Sequence, residues 1–429
     1  MKIIKRVINI LKNYYQQGAF HIITSSVSSK IFGFLLSLII IRLLDKNIYG
    51  SISYSRSIVA LFIPLAGFGA MHSLLRFGSI ARSNKEKNEL FYYTLKNGLV
   101  FSFITVTILI IYSIFFGSKI KYASIFLIII SFQIITQFLL ANLQSFKRIM
   151  MKNKEFACIN FSHALIALIL CTISAYFFDG FGYLISLVIV PLIIFIPYYF
   201  KIKNSSTDDI RYKNGIHIDK RHFWFYGINV SLGSLISRSL FAVDIILLGL
   251  ILKDPITLAQ YKVATLIPYN LAFIPQSFIL ADFVIIAKKY KNKEFLLNMA
   301  KKYILLFSLL IFIFIIPICL FSQIIIKLLF GAAYENSFRI MQVLLLGVAG
   351  SFIFRIPFGN ILAAVGKANW NVINSYIVGF FNILMDYIFI KKYGVIGAAY
   401  ATSIMIWISG LVALFAFCIY IRRINKKIN

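Results

Sequence analysis

Apolar runs of about 20 residues follow one another from Ala19 to Ile421, and this recurrence restricts the fold more than any other feature. Each run is long enough, as a helix, to cross a bilayer core of about 30 Å. Inside lipid the backbone must satisfy its own hydrogen bonds, so the runs are expected to be helical. The alternating pattern of a membrane β-barrel is absent. With 60% hydrophobic residues and a mean hydropathy of +0.86, the chain has far more apolar surface than a water-soluble core would take up.

The expected fold is an all-α polytopic membrane protein. Its twelve spans fall near 20–43, 51–75, 90–116, 122–142, 156–178, 180–200, 223–251, 258–286, 302–327, 336–364, 369–390 and 395–421. Only Asp179-Gly180 separates the fifth from the sixth. Lys and Arg are about three times as numerous in the amino terminus, even-numbered connections and carboxyl terminus as in the odd-numbered connections. Under the positive-inside rule, both termini are expected in the cytoplasm. This placement accounts for the net charge of +30 without a nucleic-acid partner. Residues 1–18, with Lys2, Lys5, Arg6 and Lys12 among Ile3, Val7, Ile10 and Leu11, suggest a basic amphipathic helix on the membrane surface. The four cysteines lie in apolar runs without metal-type spacing and are expected to be packing residues.

The basic connection 201–222 divides the chain into a lobe over 1–200 and a second over 223–429, six spans in each. Shifting by about 208 residues lays Ser26, Ser29 and Lys30 over Ser234, Ser237 and Arg238. Asp179-Gly180-Phe181-Gly182 is echoed by Tyr393-Gly394-Val395-Ile396-Gly397. Two related bundles follow from these repeats, as in many transporters.

Lys30, Arg56, Arg238, Lys262 and Arg355 fall inside spans. A charge at the centre of a lipid-facing helix costs about 2.5–3.5 kcal/mol, so five would cost roughly 12–18 kcal/mol. A polar interior is the cheaper place for them, and an interior of that sign suits an anion. Arg56 and Lys262 lie near the outer surface, where snorkelling is an equal reading. Asp244 and Asp386 are too few to neutralise five bases, although Asp244 could pair with Arg238 or Lys30. Small and polar stripes mark candidate inward faces: Ser26, Lys30, Gly33 and Ser37; Gly347, Ser351, Arg355, Gly359 and Ala363; Asn371, Ser375, Gly379, Asn382 and Asp386. Their Gly, Ser and Ala members suit close helix packing as well. Pro268 and Pro275 predict a bent eighth span. Nucleotide-binding, zinc and nucleophile-elbow motifs are missing, which argues against an enzyme or an ATP-driven pump.

Arg42-Leu43-Leu44-Asp45-Lys46-Asn47-Ile48-Tyr49-Gly50 resembles the turn after the first span in Wzx-type polysaccharide exporters. Asp244-Ile245-Ile246-Leu247-Leu248-Gly249, Leu329-Phe330-Gly331 with Tyr334, Ala364 with Gly366-Lys367, and Tyr393-Gly394 through Gly397-Ala398-Ala399-Tyr400-Ala401-Thr402 are similar to later signatures. The resemblance covers nearly the whole chain. It implies the multidrug/oligosaccharidyl-lipid/polysaccharide exporter superfamily, with two six-helix lobes around a central cationic cavity and alternating access.

The implied substrate is an undecaprenyl-pyrophosphate-linked oligosaccharide unit, of O-antigen or capsule type, flipped across the bacterial inner membrane. Lys30, Arg56, Arg238, Lys262 and Arg355 are then the expected substrate-binding residues, and Asp244 the candidate for ion coupling. No cofactor is expected beyond a proton or sodium gradient. Partners would be the lipid-linked oligosaccharide, membrane lipids and other glycan-assembly membrane proteins. An ion-coupled drug antiporter is the first alternative, but that branch generally relies on acidic cavities. A membrane glycan polymerase or ligase is the second, and it ordinarily needs a substantial outer loop.

Overall fold

The computed structural model describes residues 19–81, 83–115, 120–205 and 219–426. The amphipathic helix expected over 1–18 and most of the 201–222 connection lie outside them. The elements are α1 (Ala19–Leu43), α2 (Lys46–Phe62), a 3-10 segment (Ile63–Gly69), α3 (Ala70–Ile80), α4 (Asn84–Phe115), α5 (Ala123–Ser131), α6 (Gln133–Ile149) and α7 (Asn153–Ser205). They continue with α8 (Lys220–Ile251), α9 (Pro255–Leu271), α10 (Phe273–Lys288), α11 (Lys293–Leu310), α12 (Ile316–Leu320), α13 (Ser322–Phe330), α14 (Ser337–Gly350), α15 (Ile356–Ala364), α16 (Ala368–Tyr393) and α17 (Val395–Lys426). Two π-helical segments, Ile311–Ile315 and Ser351–Arg355, join α11 to α12 and α14 to α15.

Among the described residues, nine helical stretches are long and apolar enough to cross a membrane. The longest is two spans. Ser174 and Ser186 bring their Oγ atoms within 2.6 Å, although twelve residues of unbroken helix would hold them about 18 Å apart. The chain therefore turns back at Asp179, whose φ of 51° and ψ of −140° leave the helical region. With α8 and the α9–α10 pair, this accounts for the twelve expected spans. Leu305, Phe312 and Phe380 are among many large apolar side chains left exposed, as on surfaces solvated by lipid rather than water.

Side chains start several helices by occupying their free N–H groups. Asp45 accepts from the Asn47 amide at 2.8 Å and opens α2, giving the turn after the first span its acidic residue. Asp254 does the same for α9, accepting from the Ile256 and Thr257 amides. The second span was expected as one helix over 51–75, but it breaks at Ile63–Gly69. Pro64 lies there, and Gly67 and Phe68 take positive φ; the freed Gly67 N–H donates to Ser102 Oγ at 2.9 Å. The bend in the eighth span occurs where expected, at Ala272, between Pro268 and Pro275. Each π segment stands just ahead of a proline, Pro317 or Pro357. Proline cannot donate back to the preceding turn, and the wider turn takes up that mismatch.

The chain forms two compact units, Met1–Leu235 and Ile236–Asn429. The division falls inside α8, because the start of that helix packs within the first unit. Ser73 Oγ donates to the Phe223 carbonyl at 2.7 Å, and Trp224 Nε1 donates to Tyr93 Oη at 2.9 Å. A Cβ on Gly227 would stand 2.9 Å from the Gly69 carbonyl oxygen, so only glycine permits this approach. In the first unit α1 also runs along α7, and α4 packs on α6. In the second, α17 packs on α14 and α16.

Candidate functional site

In the first unit, α1 lies against α7 through Ser29, whose Oγ donates to the Asn160 carbonyl at 3.2 Å, and through Phe32 edge-on to Phe161. Lys30, one residue from Ser29, is exposed. On the same stripe, a Cβ added to Gly33 would meet nothing within 4 Å. At Gly33, then, no described residue packs against the helix. Arg56 is exposed too, but it is tethered: its Nη1 donates to Tyr183 Oη at 2.5 Å, with the guanidinium 5.6 Å from that ring's centre. Tyr183 is itself buried. Its hydroxyl gives Arg56 a fixed position that simple snorkelling would not.

Arg238 lies on α8, with its side chain outside the described residues. Lys262 is half-buried on α9. Arg355 closes the second π segment and lines a cavity of about 230 Å³ within the second unit. The cavity is also walled by Gly359, Asn360 and Ala363 of α15, Asn371, Asn374 and Ser375 of α16, and Ser409 and Ala413 of α17. Two of the predicted stripes thus meet here. The rest of the first stripe packs: a Cβ on Gly347 would stand 2.7 Å from Ser403 Oγ. Among the described residues the recorded ion pairs join Lys147 and Lys152 to Glu155, and Lys302 to Asp282. Arg56 and Arg355 belong to none of them.

The acids of the second unit form a separate cluster. Asp244 and Asp386 are fully buried. Asp244 accepts hydrogen bonds from Tyr261 Oη and, at 2.8 Å, from Thr402 Oγ1. Asn382 Nδ2 donates to Asp386 Oδ2 at 2.5 Å, and the two carboxyl groups are close enough to interact directly. Among the other described residues, Oδ1 of neither acid has a hydrogen-bond partner. Among the described side chains, hydroxyls and a second acid are what Asp244 meets; its suggested partner Arg238 has its side chain outside them. Burial makes two neighbouring carboxylates costly to ionise together. Tyr261 and Thr402 were not singled out as site residues from sequence, although Thr402 ends one of the signatures and Tyr261 precedes Lys262.

A family model described as "Polysaccharide biosynthesis protein" matches residues 15–284. A candidate O-antigen transporter of Shigella flexneri is 28% identical over 204 residues, 46% of this chain. That match spans about half of the relative's own length, 48%. Among solved structures, the lipid II flippase MurJ in an inward closed conformation superposes with a TM-score of 0.72 at 20% identity. It covers 92% of this chain and 87% of its own. An inward-facing multidrug resistance MATE transporter of the MOP superfamily gives 0.68 at 14% identity, covering 93% and 96%. At these identities the likeness is one of fold.

Proposed function

We propose that this chain, which belongs to the polysaccharide biosynthesis protein family, is a flippase for a lipid-linked oligosaccharide. Its substrate is an undecaprenyl-pyrophosphate-linked repeat unit of O-antigen or capsule type, and its membrane the bacterial inner membrane. The observation that carries this reading is the presence of membrane-span guanidiniums, Arg56 and Arg355, held without a carboxylate partner among the described residues. A pyrophosphate leaving water needs countercharge, and guanidinium and ammonium groups supply it through charge-assisted hydrogen bonds. In this reading Lys30 and Arg238 are the central phosphate ligands, Arg56 and Lys262 outer ones, and Arg355 an inner contact. The polyprenyl tail stays in lipid while the units alternate access. Both termini are cytoplasmic, as the distribution of basic connections favours.

Binding alone does not move a ligand held equally well in both states. The buried acids supply the missing asymmetry. Asp244, Asp386 and the Tyr261, Thr402 and Asn382 side chains form a cation site that couples transport to a proton or sodium gradient. The same cluster is what favours an ion-coupled antiporter as the second reading. That reading predicts drug-resistance phenotypes dependent on Asp244 and unaffected by loss of the bases.

Replacing Lys30 and Arg238 together by Gln, in cells that need the chain for surface glycan, separates the two. Export is expected to be abolished at unchanged protein level in the membrane. Full export by the double variant would overturn the phosphate-ligand assignment.

A further inference from the structure

The cavity beside Arg355 has a donor and acceptor pattern that a phosphate alone does not match. Arg355 offers a guanidinium with no carboxylate within salt-bridge reach among the described residues. The walls offer acceptors. Asn374 is buried, and its Nδ2 is committed to Ser409, 2.9 Å from the carbonyl and 3.2 Å from Oγ. Flipping the amide would set its oxygen against the Ser409 carbonyl, so the carbonyl end is the one facing away from Ser409. That atom, Asn374 Oδ1, is buried and has no hydrogen-bond partner among the described residues. Half-buried Asn371 also faces the cavity; its Nδ2 donates to the Gly359 carbonyl at 2.7 Å, and its Oδ1 is the other end of the amide. A buried acceptor without a donor is costly, and a ligand bringing that donor would recover the loss.

A ligand that answered both features would be an anion that also carries hydroxyl donors. Inorganic phosphate or pyrophosphate brings the charge with few donors, and a neutral sugar brings the donors without charge. A sugar acid brings both. At about 230 Å³ the cavity offers the room of roughly seven or eight waters, enough for one ring of a glycan and not for a whole repeat unit. The π segment is part of the construction, because wide turns of this kind re-aim a side chain and recur at functional sites. Here the turn ends on Arg355 itself.

We infer that this cavity is a subsite for an acidic sugar, a ring bearing a carboxylate beside free hydroxyls, within the translocated glycan. The inference rests on the flippase reading and adds to it that the repeat unit contains a uronate-type residue. The planar guanidinium takes the carboxylate in a two-point contact, and Asn374 Oδ1 and Asn371 Oδ1 accept from the ring hydroxyls. Phosphatidylglycerol headgroups offer related chemistry, an anion beside hydroxyls, and the test separates that source.

The experiment uses the full-length protein in phosphatidylcholine nanodiscs, with methyl glucuronide, methyl glucoside and inorganic phosphate as probes, read by isothermal titration. Methyl glucuronide is expected to bind at least about tenfold more tightly than either other probe. Arg355→Gln and Ala413→Leu, the second filling the cavity from α17, should each abolish that preference. A glance at monodispersity and thermal unfolding identifies a variant that has not folded; Arg355→Lys, which keeps the charge and loses the two-point geometry, then serves, with at least a tenfold loss expected. Equal binding of all three probes would overturn the subsite. So would displacement of the glucuronide by phosphatidylglycerol added to the nanodiscs, which would assign the cavity to lipid. Because free monosaccharides are bound to purified protein, failure here leaves the flippase reading standing. That reading falls on the export phenotype of the Lys30 and Arg238 double variant.

Discussion

Each unit ends a pair of spans with the same turn, and the two hairpins differ in what they bury. Asp179 has φ 51° and ψ −140°, and Gly394 has φ 64° and ψ −142°. Three residues later comes Gly182 or Gly397, whose added Cβ would run into the carbonyl of Ser174 or Phe389. The backbone repeat is close to identical. Eight residues before the turn residue, however, the first hairpin has Cys171 and the second Asp386; both are fully buried. Eight residues after it stand Leu187 and Thr402, and twelve before it Ala167 and Asn382. One scaffold thus carries a thiol and two aliphatic side chains in the first unit where the second carries an acid, a hydroxyl and an amide. The duplicated geometry sets where side chains meet, and the side chains alone decide whether a site results.

The comparison breaks most visibly at the acids. Asp386→Asn keeps the shape and removes the charge, and it should lower export by about 5–150-fold, the usual range of coupling between two sites. Cys171→Ala, its counterpart in the first hairpin, should leave export within about twofold. Transport by both variants at matched protein levels checks this, and a large loss from Cys171→Ala would end the distinction between the hairpins. A smaller effect tests the shared scaffold. Gly182→Ala and Gly397→Ala should each destabilise the protein by about 1–3 kcal/mol, because both force a methyl into backbone. Unequal losses in thermal unfolding would show that the turns are not equivalent. The smallest effect concerns the turn residue itself. Asp179→Gly should stabilise by up to about 1 kcal/mol, since glycine accepts this φ without a side-chain clash. A lower unfolding temperature would count against strain at Asp179.

The spans were legible because length and hydropathy are read along one segment at a time. The Asp179 and Gly394 turns were legible for the same reason, as short polar interruptions between apolar runs. The break at Ile63–Gly69 was not, because its stability comes from Ser102, on another helix. Arg56 looked free to snorkel, and only the packing of α2 near Tyr183 of α7 shows its tether. The acid cluster was half visible: Asn382 and Asp386 stand one turn apart on α16, but Asp244, Tyr261 and Thr402 come from α8, α9 and α17. Those contacts join residues up to 158 positions apart, and no local pattern encodes them.

The π segment at Ser351–Arg355 lets one span satisfy two demands that a uniform helix could not. Ahead of it, Gly347 and Gly350 seat α14 against Ser403 and Trp407 of α17. Behind it, Arg355, Gly359 and Ala363 turn toward the cavity. Deleting one residue from the segment would restore ordinary winding and throw the two halves out of phase by about 100°. Either the glycine seam or the guanidinium would then have to swing away, so the span behaves as a camshaft whose lobes are timed by a single inserted residue.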